Sequence, residues 1–302
     1  MAECSHPNLR KSAVGWICAR CGQPVTTGGD VVASPSVALP ASPDASLPPA
    51  HWLDGHVLGV TVRGLLVGAT TLPLAWLLCW LFPFGNHILW IFTTLCHEMG
   101  HTVGALLVGR PALPAFDFSF GGGVTMTGER RWWLLAVYVI GVVMLWRQVG
   151  EQRWIRWALG SATVAVTLLI LTGLDEAWFV WMGFGGELII ATVFLHRALT
   201  GVAEVYPGER WLYGMVAWAL LGHALGMCWM LLFDPAFQHT YLMGKRGIDN
   251  DFVRLSESLG VSLRGAAWLN LLVGLLVPVA AVWAARWWPR DAGPRARAAA
   301  RL

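Results

Sequence analysis

Charge is scarce in this chain: Asp, Glu, Lys and Arg make up 13% of its 302 residues, and 56% are hydrophobic. A soluble domain carries about 25% charged residues, so the shortage excludes an ordinary soluble fold and selects a membrane protein. A cleavable leader is missing from the expected organisation, because residues 1–50 hold no apolar core flanked by a small-residue cleavage site. An internal repeat of the kind many transporters carry is not evident either. Net charge is only +3. The densest basic cluster, Arg286, Arg290, Arg295, Arg297 and Arg301, is C-terminal, and suits an anionic lipid surface rather than nucleic acid. What is abundant is tryptophan, with 19 residues, and Trp favours membrane interfaces.

The six cysteines fall into two groups. Cys79, Cys96 and Cys228 sit in apolar stretches and read as packing residues. Cys4, Cys18 and Cys21 crowd the N-terminus. Cys18-x-x-Cys21 followed by Gly22 is a tight knuckle that sets two thiolates on one tetrahedral ion, and Cys4 with His6 completes a Cys3His set. A redox Cys-x-x-Cys normally accompanies a βαβ pattern, which is absent. A segment this short cannot bury a core, so a structural zinc would fold it. The segment resembles the small zinc ribbons at the ends of many bacterial membrane proteins. Thiolate ligands point to a reducing compartment and hence a cytoplasmic N-terminus. The expected organisation is a knuckle over 1–24, a disordered Gly/Ser/Ala/Pro linker over 25–50, a membrane domain over 51–289 and a basic tail over 290–302. The knuckle is also a candidate docking point for a protein partner.

Seven apolar stretches follow, at 57–82, 87–108, 132–146, 154–171, 177–195, 211–233 and 266–288. Most approach the roughly 20 residues a membrane helix needs. The expected fold is all-α and polytopic, with about 6–7 transmembrane helices. Seven full spans from a cytoplasmic N-terminus would put the arginine-rich tail outside, against the positive-inside rule. Either one stretch does not cross or the tail breaks the rule.

The second stretch contains Cys96-His97-Glu98-Met99-Gly100-His101, an H-E-x-x-H motif. On a helix His97 and His101 share one face and can reach one metal ion, with Glu98 as base on a bound water. Ionisable groups inside a membrane are expensive and functional by default, which favours a metal site over a polar helix face bonded to its neighbours. After it, apolar and polar residues alternate on both sides of Gly121-Gly122-Gly123, from Ala115 to Gly128. This is a β-hairpin signature. The open edge of a hairpin can take an extended peptide as an added strand, which makes Gly121, Gly122, Gly123, Val124 and Thr125 candidate substrate-binding residues.

The motif running out of an apolar helix, with Gly100 before the second His and a Gly-Gly-Gly-Val-Thr hairpin downstream, resembles the site-2 protease family of intramembrane zinc metalloproteases. The resemblance spans about residues 87–233. It implies a catalytic zinc, a water nucleophile, and cleavage of a membrane-spanning or membrane-anchored protein within the bilayer. It places the chain in a bacterial inner or plasma membrane. The family's third ligand is usually an Asp in a later helix, often before Gly. Here the only Leu-Asp-Gly, Leu53-Asp54-Gly55, precedes the first apolar stretch and reads as a turn. Glu187, a carboxylate in an apolar helix behind small residues, is the favoured third ligand, with Asp234 and His223 as alternatives. Asp175 and Glu176 read as solvated boundary residues, and Asp234 before Pro235 also reads as a cap. Asp249, Asn250 and Asp251 read as the solvated, capping start of a helix over 252–259. Two other classes compete: a non-enzymatic membrane scaffold using its knuckle, and a metal transporter.

Overall fold

The computed structural model describes residues 9–12, 15–18, 24–25, 56–57, 60–117, 122–149, 153–202, 204–206, 208–244 and 250–287. The chain divides into two compact units, Met1–Ala50 and His51–Leu302. In the first, β1 (Leu9–Ser12), β2 (Gly15–Cys18) and β3 (Pro24–Val25) form an antiparallel sheet in that order. Cys18 ends β2, opposite Leu9. Cys4, His6, Cys21 and most of the 25–50 linker lie outside the described residues.

The second unit opens with a short antiparallel pair, β4 (His56–Val57) and β5 (Val60–Thr61). The first helix therefore starts later than the apolar stretch does. Thr61 caps α1 (Val62–Leu81), its hydroxyl accepting from the Gly64 amide at 3.0 Å. Pro83 starts α2 (Pro83–Leu107), where its missing N–H costs nothing. Gly109, at φ 79°, turns the chain out of α2 in the left-handed conformation glycine tolerates.

A hairpin follows: β6 (Ala112–Asp117) pairs antiparallel with β7 (Gly122–Thr127), in register from Ala112 opposite Thr127 to Asp117 opposite Gly122. Its base is closed where the Arg131 amide donates to the Gly109 carbonyl at 2.7 Å. Then come α3 (Trp132–Gln148), α4 (Arg153–Thr172), α5 (Asp175–Thr200) and α6 (Glu209–Phe233). Two short helices, α7 (Pro235–Leu242) and α8 (Asp251–Leu259), precede α9 (Leu263–Trp287). Each of the seven apolar stretches contains a helix. Among the described residues five helices are long and apolar enough to cross a membrane, α1, α4, α5, α6 and α9, against the 6–7 expected. The chain is a mostly helical, multi-pass membrane protein with a small hairpin after α2.

The core is built on α5, which packs against α1, α2, α6, α8 and α9. Glycine permits its approach to α2. A Cβ on Gly100 would run into the Met182 carbonyl and lie 3.0 Å from Gly186 Cα. Backbones this close maximise dispersion contacts, which drive helix association where lipid offers no hydrophobic gain. Buried Asn270 ties α9 to α5 and α6, accepting from Trp181 Nε1 at 3.1 Å and donating to Cys228 Sγ at 3.3 Å. Cys96 and Cys228 are buried in this core, as packing residues should be.

Asp175, read from sequence as solvated, is instead buried. The hairpin accounts for the difference, because its two ends bring cations over the start of α5. Arg110 Nη2 lies 2.9 Å and Arg130 Nη2 2.5 Å from Asp175 Oδ2. A buried carboxylate persists when it is paired in this way. Glu176 is half-buried and also paired, with Arg110 and with Arg254.

Candidate metal centre

The motif lies on α2 where that helix faces the middle of α5. His101 is buried, and Glu98 beside it is 5% exposed. The two imidazoles converge as the i, i+4 spacing requires, with His97 Nε2 and His101 Nε2 3.2 Å apart. The third group that meets them is Asp251, the first residue of α8. Its Oδ2 lies 2.7 Å from His97 Nε2 and 3.3 Å from His101 Nε2. Among the described residues these three form the group whose ligand atoms could hold one ion.

Glu187, expected at that position, is placed elsewhere. It is fully buried on α5 and touches the opposite nitrogen of His97, with Oε1 2.7 Å from Nδ1. Its other oxygen, Oε2, lies 2.9 Å from His223 Nδ1. The burial that made Glu187 conspicuous in the sequence is thus satisfied by two imidazoles. His223 partners this carboxylate and is not in the converging group. Asp234 caps α7, accepting from the amides of Ala236 and Phe237 at 3.0 and 3.1 Å. Asp54 lies outside the described residues.

Asp251 was expected as a solvated helix start. The helix is there, but Asn250, at its N-cap position, makes no capping bond. Its side-chain amide donates to the Tyr241 carbonyl at 2.6 Å instead. Phe252 is fully buried and its ring centroid lies 4.6 Å from that of Phe184. These contacts hold the first turn of α8 against α5 and turn the Asp251 side chain inward. A carboxylate at this point binds a metal in its ionised form.

The outer partners fix the imidazole orientation. His101 Nδ1 lies 2.9 Å from the Phe179 carbonyl, which can only accept, so Nδ1 carries the proton. His97 Nδ1 likewise donates to the Glu187 carboxylate. Both Nε2 lone pairs are then directed at the common point shared with Asp251. Such carboxylate and carbonyl partners behind a histidine are typical of ligand imidazoles.

Space for an ion is kept by a glycine. A Cβ on Gly183 of α5 would run into His101 Nε2 and lie 2.6 Å from His97 Nε2. Ligand atoms on a tetrahedral ion with bonds of about 2.0–2.1 Å stand about 3.3 Å apart; the two distances to His101 Nε2, 3.2 and 3.3 Å, match this, and the 2.7 Å between His97 Nε2 and Asp251 Oδ2 is shorter and would open on binding.

The hairpin lies on the motif. Thr125 Oγ1 donates to Glu98 Oε2 at 2.7 Å and lies 3.1 Å from the Glu98 carbonyl. Gly123 packs directly on the Glu98 side chain, where any Cβ would collide with Glu98 Cγ. Gly122 and Val124 pair with Asp117 and Ala115 of β6, and Gly121 lies outside the described residues. Among the described residues β7 pairs only with β6, so its second edge carries no ladder.

No family model, curated protein or solved structure matches the chain. The donors themselves define the chemistry available: two imidazoles, one carboxylate, and a second, buried carboxylate one residue from His97. The spacing of Phe252 and Leu255 suits one packed face of α8, but nothing local in the sequence marks Asp251 as facing the histidines.

Proposed function

We propose that the chain is an intramembrane zinc metalloprotease, in which His97, His101 and Asp251 hold the catalytic ion. The observation that carries this reading is the convergence of His97 Nε2, His101 Nε2 and Asp251 Oδ2, with the buried carboxylate Glu98 next to His97 on the same helix. Two histidines and one carboxylate, with a fourth position left for water, is a catalytic zinc set rather than a closed structural one. A zinc ion there would supply a Lewis acid that polarises a peptide carbonyl and acidifies water.

The chain's own residues do the rest. Glu98 takes the proton from the attacking water and delivers it to the departing amine. Thr125 holds the Glu98 carboxylate through Oε2, leaving Oε1 for this proton traffic. Glu187 and the Phe179 carbonyl keep the two imidazoles in the ligand tautomer. The unpaired edge of β7, built onto Glu98 through Gly123 and Thr125, receives the substrate as an extended strand. Because the motif helix is embedded in a multi-pass membrane protein, the substrate class is a membrane-spanning or membrane-anchored protein. The N-terminal Cys4, His6, Cys18 and Cys21 would hold a second, structural zinc, with the N-terminus cytoplasmic in a bacterial inner or plasma membrane.

Gly183 tests the ion's position. Gly183→Ala puts a methyl group between the two Nε2 atoms, while alanine is about 1 kcal/mol better than glycine in a helix. The expected result is loss of the membrane-domain zinc with helical content by circular dichroism unchanged. Full zinc retention in this variant would remove the ion from that space.

A further inference from the structure

Resting on that reading of the metal centre, we propose that Arg254 is a positioning residue that sets the zinc affinity of the site. It does so by fastening the helix that carries Asp251 to the turn of α5 that orients His101. The sequence supplies the first reason. Helix α8 has nine residues, too few to hold itself in water, so outside contacts fix its place. Phe252 and Leu255 bury its apolar side. Asp251 and Arg254 stand three residues apart, on one face.

Arg254 meets α5 twice. Its Nη2 lies 2.7 Å from Glu176 Oε1. Its guanidinium carbon lies 5.4 Å from the centroid of the Phe179 ring, within reach of a cation–π contact. Phe179 is the residue whose carbonyl accepts the hydrogen bond from His101 Nδ1–H, and its ring centroid is 5.3 Å from that of His101. Arg254 therefore touches two side chains of the α5 turn behind one imidazole, while its own helix delivers Asp251.

The contact extends further. The second Glu176 oxygen lies 2.8 Å from Arg110 Nη1, at the exit of α2. Arg110 and Arg130 share Asp175. One chain of charges thus links the ends of the ligand helix and of the hairpin to α5 and α8. The Arg254–Glu176 pair itself is more than a third exposed on both sides, so it adds little to global stability. It sits where a small displacement of α8 changes the distance from Asp251 to the imidazoles.

The test is a zinc titration of the full-length protein in detergent, in competition with a chromophoric chelator. Cys18→Ser and Cys21→Ser are included in every sample so that the knuckle does not report. Arg254→Gln and Arg254→Met should weaken zinc binding by about tenfold, the lower end for loss of an outer partner. Arg254→Lys should recover part of the loss through Glu176, and Glu176→Gln should weaken binding independently of any substitution on α8. The melting temperature of the zinc-free protein should not move in these variants. Affinity within twofold of the parent in all of them, with His101→Ala strongly weakened, overturns the role of Arg254 and leaves the metal centre standing. Equal binding by the parent and His101→Ala overturns the centre itself.

Discussion

Replacing Glu98 by glutamine should lower peptide hydrolysis by on the order of 10²–10⁴-fold, the contribution typical of a positioned general base, and leave zinc content unchanged. Gln is isosteric with Glu and still accepts the Thr125 hydroxyl through its carbonyl oxygen, so the hairpin contact at 2.7 Å survives. What it loses is the ability to take a proton from water. The measurement is cleavage of membrane-spanning peptides reconstituted with the protein in vesicles, beside zinc content of the same preparations. Loss of cleavage with metal retained isolates the proton-transfer role. Cleavage at the parent rate would take Glu98 out of the mechanism.

Asp251→Asn and Glu187→Gln should separate a ligand from its support. Glu187 stands behind His97 at Nδ1, so its amide variant weakens zinc binding by about 10–100-fold, as outer partners do. Asp251 offers its own oxygen to the point shared with both Nε2 atoms, so its loss should weaken binding by more than that. The order of the two effects is the diagnostic. If Glu187→Gln proves the more damaging, Glu187 binds the ion directly and the sequence-based expectation stands after all.

The site was legible from sequence in proportion to how local it is. His97, Glu98 and His101 declare themselves because four residues of helix bring both imidazoles to one face. The hairpin is legible from alternation around its glycines, and its strands form where that pattern runs. Glu187 was visible as a carboxylate whose burial demands a partner. A cation and two histidines satisfy that demand equally well, and only the fold brings His223 and His97 to its two oxygens. Asp251 lies 150 residues beyond His101, on a short helix in a mixed-charge stretch. Nothing local distinguishes it from an ordinary helix start. Asp175 resembled a solvated boundary residue for the same reason, since its two arginines arrive from the ends of the hairpin.

The most direct test of the metal centre is zinc per chain. Full-length protein carrying Cys18→Ser and Cys21→Ser is purified in detergent, supplied with zinc, washed and assayed by elemental analysis, with and without His101→Ala. About one zinc per chain is expected in the parent and none in the His101→Ala variant. A folded parent that holds no zinc, or a variant that holds as much as the parent, would contradict the assignment of the ion to this centre.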